Sequence, residues 1–156
     1  MPNIEADHSL SGAPAFVIAL IAAFNSNKQL LLLKRPEDVH CGGMWSLPGG
    51  KVGNMEMPLQ AAIRELAEEA GLKGKRWRHL GKADYTYEDR RLHFLLFVCV
   101  CSDVSELQAE SPCVWVSLDA LNEYPMPQAN EKIMPMLHLP ELFSYLDELF
   151  AESLAE

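Results

Sequence analysis

The sequence predicts an α/β fold, a mixed β-sheet with helices packed on it. Three observations predict it. Two apolar runs, at 15–24 and 30–33, have strand character; one stretch, 59–70, has helical periodicity; and two long strand patterns, 77–87 and 91–101, follow. Strands, a helix, more strands and a last helix in 156 residues describe one layered domain.

Each element has its own signal. Ala15 to Phe24 is a continuous run of Val, Ile, Phe and Ala, the pattern of a strand buried on both sides. Asn25-Ser26-Asn27-Lys28 is a turn signal, and Leu30 to Leu33, ending at Lys34, completes a hairpin. Residues 35–44 form a loop, and a short strand is expected at Trp45 to Leu47. Leu59, Ile63, Leu66 and Ala70 recur at i, i+4, i+7 and i+11, which predicts a helix with that stripe against the sheet. Gly71 stands where a helix C′ glycine belongs. Trp77 to Tyr87 and Arg91 to Cys101 read as strands joined at Glu88-Asp89, and Cys113 to Leu118 as another. A short helix is expected over Ala129 to Leu137. An amphipathic one follows over about 140–153, with Leu142, Leu146 and Phe150 on one side. Residues 1–13 read as a loose tail and 14–156 as one domain.

Composition excludes several classes. Hydrophobic residues make up 49% and charged residues 22%, which argues against global disorder. No apolar run approaches the roughly 18 residues of a membrane span. With no signal-peptide pattern, a reducing cytoplasm is expected. Twenty-two acids against 13 bases give a formal charge of -9, the wrong sign for a nucleic-acid surface. Four cysteines, at 41, 99, 101 and 113, form no CxxC pair and read as free thiols.

The chemistry concentrates in Gly49 to Leu72. Glu65, Glu68 and Glu69 share a face at i, i+3 and i+4, where like charges repel by a few tenths of a kcal/mol per pair. Two of them lie in the last helical turn, where the dipole disfavours acids. A sequence selected for stability alone would place Lys there. The plain alternative is a solvated acidic face. The functional reading is a site for a hard divalent cation, which takes carboxylate oxygens beside substrate phosphates. Pro48-Gly49-Gly50 favours it, because a glycine loop lets the backbone approach a ligand closely.

This stretch resembles the Nudix box: Gly, five residues, Glu, seven residues, Arg-Glu, an aliphatic, one residue, Glu-Glu, one residue, Gly, an aliphatic. Gly50, Glu56, Arg64, Glu65, Leu66, Glu68, Glu69, Gly71 and Leu72 fill every place. At ordinary residue frequencies a chance match is on the order of one in ten million. The resemblance implies a Nudix-type α/β/α sandwich over about 14–137. It also implies a hydrolase of nucleoside diphosphate linkages that uses Mg²⁺ or Mn²⁺. Carried over, it makes Glu65, Glu68 and Glu69 metal ligands, with the Gly49 carbonyl as another. Glu65, Glu69 or a distant loop carboxylate would be the general base. Arg64 serves the catalytic face, and Gly50, Glu56 and Gly71 are structural. Many members have glycine just before the first box glutamate. Met55 stands there, and Gly53-Asn54 is expected to make the turn instead.

Flanking pieces resemble the branch of this family that hydrolyses 8-oxo-dGTP to the monophosphate and pyrophosphate. They are Leu33-Lys34-Arg35, Trp45 through Lys51, Tyr87-Glu88-Asp89-Arg90, Trp115 through Leu118, and Tyr124-Pro125 with Ala129-Asn130-Glu131. Asn130 would read the oxidised purine, since an amide offers donor and acceptor together. Arg35, His40, Leu47 and Arg90 would contact substrate, Leu47 replacing a stacking phenylalanine. Glu110, with Glu106 as competitor, would be the remote metal carboxylate. The alternatives are a pyrophosphatase for CTP, dCTP or modified pyrimidine triphosphates, and a non-catalytic nucleotide-binding module. The expected partner is a small nucleotide, without nucleic acid or membrane, on a monomer or weak homodimer.

Overall fold

The computed structural model describes residues 14–39 and 41–155, and side chains as far as 151. Strands are β1 Ala15–Phe24, β2 Leu30–Lys34, β3 Trp45–Ser46, β4 Gly49–Lys51, β5 Lys75–Thr86, β6 Arg91–Val100 and β7 Cys113–Val116. Helices are α1 Pro58–Ala70 and α2 Pro140–Ala155. Three 3-10 turns, Leu118–Glu123, Gln128–Lys132 and Met134–His138, precede α2. The expected tail at 1–13 and His40 lie outside the described residues.

The sheet is mixed and seven-stranded, in the order β3-β2-β1-β6-β5, with β4 paired to β1 and β7 to β2. β1 and β6 run parallel from Ala15↔Arg91 to Phe24↔Val100, and the other pairs are antiparallel. From Ala19 to Phe24, β1 is covered on both faces and has no polar side to show, hence its apolar sequence there. Ala19, Ile21 and Ala23 face the α1 layer, with Leu31, Leu33, Leu66 and Leu72. Leu20, Ala22 and Phe24 face the opposite layer, with Leu30, Leu32 and the residues of the 3-10 turns and α2. The result is an α/β/α sandwich. Leu142, Leu146 and Phe150 of α2 are buried as expected. Cys99 and Cys101 are free and buried on the α1 side.

Four expectations need correction. The β1–β2 hairpin pairs only at Phe24↔Leu30, because farther along β4 pairs with β1 and β3 with β2, while β7 holds the other edge of β2. Gly49–Gly50 is the start of β4 rather than a loop, held by Ala19↔Gly50 and Leu20↔Gly49. The helix expected over Ala129 to Leu137 is two 3-10 turns, since Pro135 cannot donate the hydrogen bond that a longer α-helix would need. Finally, α1 buries Ala61, Ala62, Leu66 and Ala70, while Leu59 and Ile63 are 40% and 46% exposed. The helix is turned so that Glu65 and Glu69, rather than Leu59 and Ile63, reach β4.

Candidate active site

Two glycines seat α1 on the sheet. A Cβ at Gly49 would collide with the Ala19 carbonyl oxygen, so only glycine permits the β1–β4 approach. A Cβ at Gly50 would collide with the Glu65 carboxylate. The Gly49 N–H donates to Glu69 Oε1 at 2.9 Å. Gly49 therefore lets β4 lie close to β1, and Gly50 makes room for a carboxylate of the helix, local purposes that precede any ligand.

Arg64 organises the outer carboxylates. Its Nε donates to Glu56 Oε2 at 2.7 Å and its Nη2 to Glu56 Oε1 at 2.9 Å. Its Nη1 reaches Glu65 Oε2 at 3.1 Å and Glu68 Oε1 at 3.2 Å. Glu56 also accepts from the Gly53 N–H at 2.8 Å, which closes the turn before α1. The guanidinium and then this backbone donor hold the Glu56 carboxyl at about 2. The left-handed residue of that turn is Met55, at φ 64, rather than Gly53 or Asn54. At the other end of α1, Gly71 takes φ 68 and its N–H donates to the Ala67 carbonyl at 2.9 Å, as expected of a C′ glycine.

Glu69 is the inner carboxylate. Burial, first, and the charges of Glu65, Glu110 and Glu68 push its pKa up to about 7, against the Gly49 hydrogen bond. The loop after β6 docks on the end of α1 through Gln108 N–H to the Ala70 carbonyl at 2.8 Å and Glu110 N–H to the Glu69 carbonyl at 3.2 Å. This brings Glu110 to the same cavity wall as Glu69, while Glu106 lies at Gly71, away from the wall. Between the two candidates for the remote carboxylate, the fold places Glu110 at the site.

No group of three acidic, His or Cys side chains among the described residues is already arranged to hold a metal ion. The set Gly49, Glu65, Glu68, Glu69 and Glu110 is thus adjacent but not assembled. Arg64 engages Glu65 and Glu68, and the Gly49 N–H engages Glu69. The donor chemistry fits a divalent cation. Hard oxygens surround a carboxyl that burial first, and then its neighbours' negative charge, make reluctant to ionise, and a cation offsets that reluctance.

A cavity of about 520 Å³ runs from this carboxylate wall across the sheet. Gly49, Gly50, Glu69 and Glu110 line one end. Arg35, Leu47, Arg90 and Asn130 also line it. Glu65, Glu68, Arg64, Glu56 and Gly71 stand outside the lining, behind or beside the wall. Asn130 and Leu47 are buried, whereas Arg90 is a rim residue paired with Asp89 at 3.1 Å.

A family model described as the NUDIX domain matches residues 14–137. The chain belongs to the Nudix family. The 8-oxo-dGTP diphosphatase of Escherichia coli strain K12 is 31% identical over 114 residues, which cover 72% of this chain and 88% of that protein. The mouse diphosphoinositol polyphosphate phosphohydrolase 3-alpha is 33% identical over 67% of this chain and 60% of its own length. A solved MutT structure from work on Aliivibrio salmonicida and Vibrio cholerae superposes with a TM-score of 0.67 at 29% identity, covering 78% of this chain and 94% of that one. The protein is a MutT-like Nudix pyrophosphohydrolase.

The Nudix cavity also contains residues that sequence reasoning missed. Phe16, Ile18, Leu92 and Phe94 form its floor. They meet because Phe16 pairs with Leu92 and Ile18 with Phe94 in the parallel β1–β6 register. Alternation along each strand marks them as sharing a face, but nothing local announces the register. Lys51 lies over the Phe16 ring at 4.0 Å, which brings an ammonium to the rim beside Gly50.

Proposed function

We propose that this enzyme hydrolyses a nucleoside triphosphate to the monophosphate and pyrophosphate, and that its substrate is 8-oxo-dGTP or a related oxidised purine. The observation that supports this reading is one cavity with carboxylates at one end and the Asn130 amide elsewhere on its lining. The similarity to the Escherichia coli 8-oxo-dGTP diphosphatase supports it independently.

Glu65, Glu68, Glu69 and Glu110 are the groups that would hold Mg²⁺, or Mn²⁺ in its place. When bound, the metal neutralises phosphate charge and lowers the pKa of an attacking water. Arg64 keeps Glu65 and Glu68 close to the site and is itself anchored by Glu56. A carboxylate of this wall receives the water's proton. Arg35 and Arg90, on the lining, supply positive charge for an anionic substrate, and Leu47 packs on the base. The substrate is a free nucleotide rather than a nucleic acid, for which the -9 charge of the chain has the wrong sign.

The test is pyrophosphate release with Mg²⁺ across 8-oxo-dGTP, dGTP, dCTP, CTP and 5-methyl-dCTP at low concentration. A kcat/KM for 8-oxo-dGTP about a hundredfold above that for dGTP, the scale of a well-made polar contact, is expected. A pyrimidine preference would keep the hydrolytic end and overturn the purine reading. No release from any of them would overturn the hydrolytic reading for triphosphates.

A further inference from the structure

Asn130 sits in the 3-10 turn Gln128–Lys132, 8% exposed, with its backbone held at both ends. Its N–H donates to the Pro127 carbonyl at 2.9 Å and its carbonyl accepts from Ile133 N–H at 3.0 Å. Its side-chain Nδ2 donates to Met126 Sδ at 3.5 Å. Met126 stands between Pro125 and Pro127, which restrict its backbone, and Pro125 is tied to β3 through Trp45 N–H at 2.8 Å. The backbone at Met126 is therefore restricted, and its side chain packs against the core cluster, with the sulfur at the amide. A thioether accepts hydrogen bonds and donates none, so it favours the amide's nitrogen over its oxygen. One N–H is taken. Oδ1 and the second N–H remain for the cavity that Asn130 lines.

We propose that Met126 is a positioning residue that fixes the orientation of the Asn130 amide, and that this orientation separates an oxidised purine from guanine. The inference rests on the purine reading above. Guanine shows two acceptors on this edge, N7 and O6. Oxidation at C8 puts a proton on N7, so the edge becomes a donor beside an acceptor. A fixed amide matches it, Oδ1 accepting from N7–H and the free N–H donating to O6. Guanine would instead place the N7 lone pair against Oδ1, an unpaired contact in a buried site. An amide released from the sulfur can turn its NH₂ group toward the cavity and offer both N–H groups to guanine's two acceptors. Loss of the sulfur therefore weakens the oxidised substrate and improves the ordinary one.

Met126→Leu conserves the apolar bulk and removes the acceptor. In the full chain with Mg²⁺, kcat/KM for 8-oxo-dGTP should fall about threefold and that for dGTP rise about threefold, a tenfold drop in preference carried by KM. General damage to the fold would lower both. A second readout uses no substrate: the Asn130 Nδ2 proton pair in an NMR spectrum, identified by its loss in Asn130→Ala. The pair should shift, and exchange faster with solvent, in Met126→Leu. A preference unchanged within twofold, both substrates falling together, or an amide pair indifferent to Met126→Leu would each overturn the proposal. A wild-type enzyme with no preference for 8-oxo-dGTP would overturn the purine reading and, with it, Met126's part in specificity. The amide resonances distinguish that failure from a failure of the pinning itself.

Discussion

Helices α1 and α2 both carry leucines at helical spacing, and the two stripes end on opposite sides of the surface. In α2, Leu142, Leu146, Leu149 and Phe150 are all buried. In α1, Leu66 and Ala70 are buried but Leu59 and Ile63 are not. Apolar burial orients a helix when nothing competes with it. On α1 something competes: Gly50 leaves space for the Glu65 carboxylate, and Gly49 donates to Glu69. Ala61 and Ala62, small enough for close packing, replace the larger side chains on the buried face. The helix that departs from its own hydrophobic pattern is the one that carries the carboxylates proposed to hold the metal.

The sharpest way to break this contrast is to remove a charge from α1 without changing its shape. Glu68→Gln should cost a hundredfold or more in turnover, on the order of what metal activation of water supplies, with an unchanged fold by circular dichroism. Near-normal turnover would remove Glu68 from the metal-holding set. The reciprocal change in α2 acts on stability alone. Leu146→Ala, at a 2% exposed site, should cost about 2–3 kcal/mol in urea unfolding and leave kcat intact.

Titration should separate the helices further. The folded pKa of Glu69, about 7, lies above the ordinary 4.5, so the folded state holds that proton more tightly than the unfolded chain does. The stabilisation is complete below pH 4.5 and is lost as pH rises through 7. For the metal-free protein this amounts to about 1–2 kcal/mol after allowance for solvent screening. Glu69→Gln should flatten the decline, and Mg²⁺ should offset it in the wild type. Glu56 has the opposite sign. Its pKa is lowered to about 2, so the stabilisation it shares with Arg64 is present above pH 4.5 and fades as pH falls through 2.

Smaller effects test the outer face of α1. Met55→Gly should stabilise by about 0.5–1 kcal/mol, because a side chain at φ 64 is strained where glycine is not. Ile63→Gln should change stability by less than about 0.5 kcal/mol, since that side chain is already 46% exposed. A loss of 2 kcal/mol there would mean that the stripe is buried after all.

The local signals carried much of this outcome. β1, β2, β5, β6, β7 and α2 stand close to where their residue patterns put them, because an apolar run or a helical stripe is a property of consecutive residues. The Nudix box located the carboxylates, since its spacing is itself consecutive. The facing of α1 was not legible, because periodicity cannot weigh a leucine against a carboxylate that has a seat waiting. β4 was not legible either, because two glycines read as a loop until β1 is beside them.

What the sequence determined by itself is therefore local: the elements, the box, and the amide and arginines near it. Tertiary structure decided what those residues share. The parallel β1–β6 register built the cavity floor from Phe16, Ile18, Leu92 and Phe94. Docking of the loop after β6 on α1 selected Glu110 over Glu106 as the carboxylate at the wall. The Pro125-Met126-Pro127 segment set a sulfur against Asn130. Each depends on contacts between residues distant in the chain or on the path of a loop, and both follow from how the whole core closes rather than from local propensity.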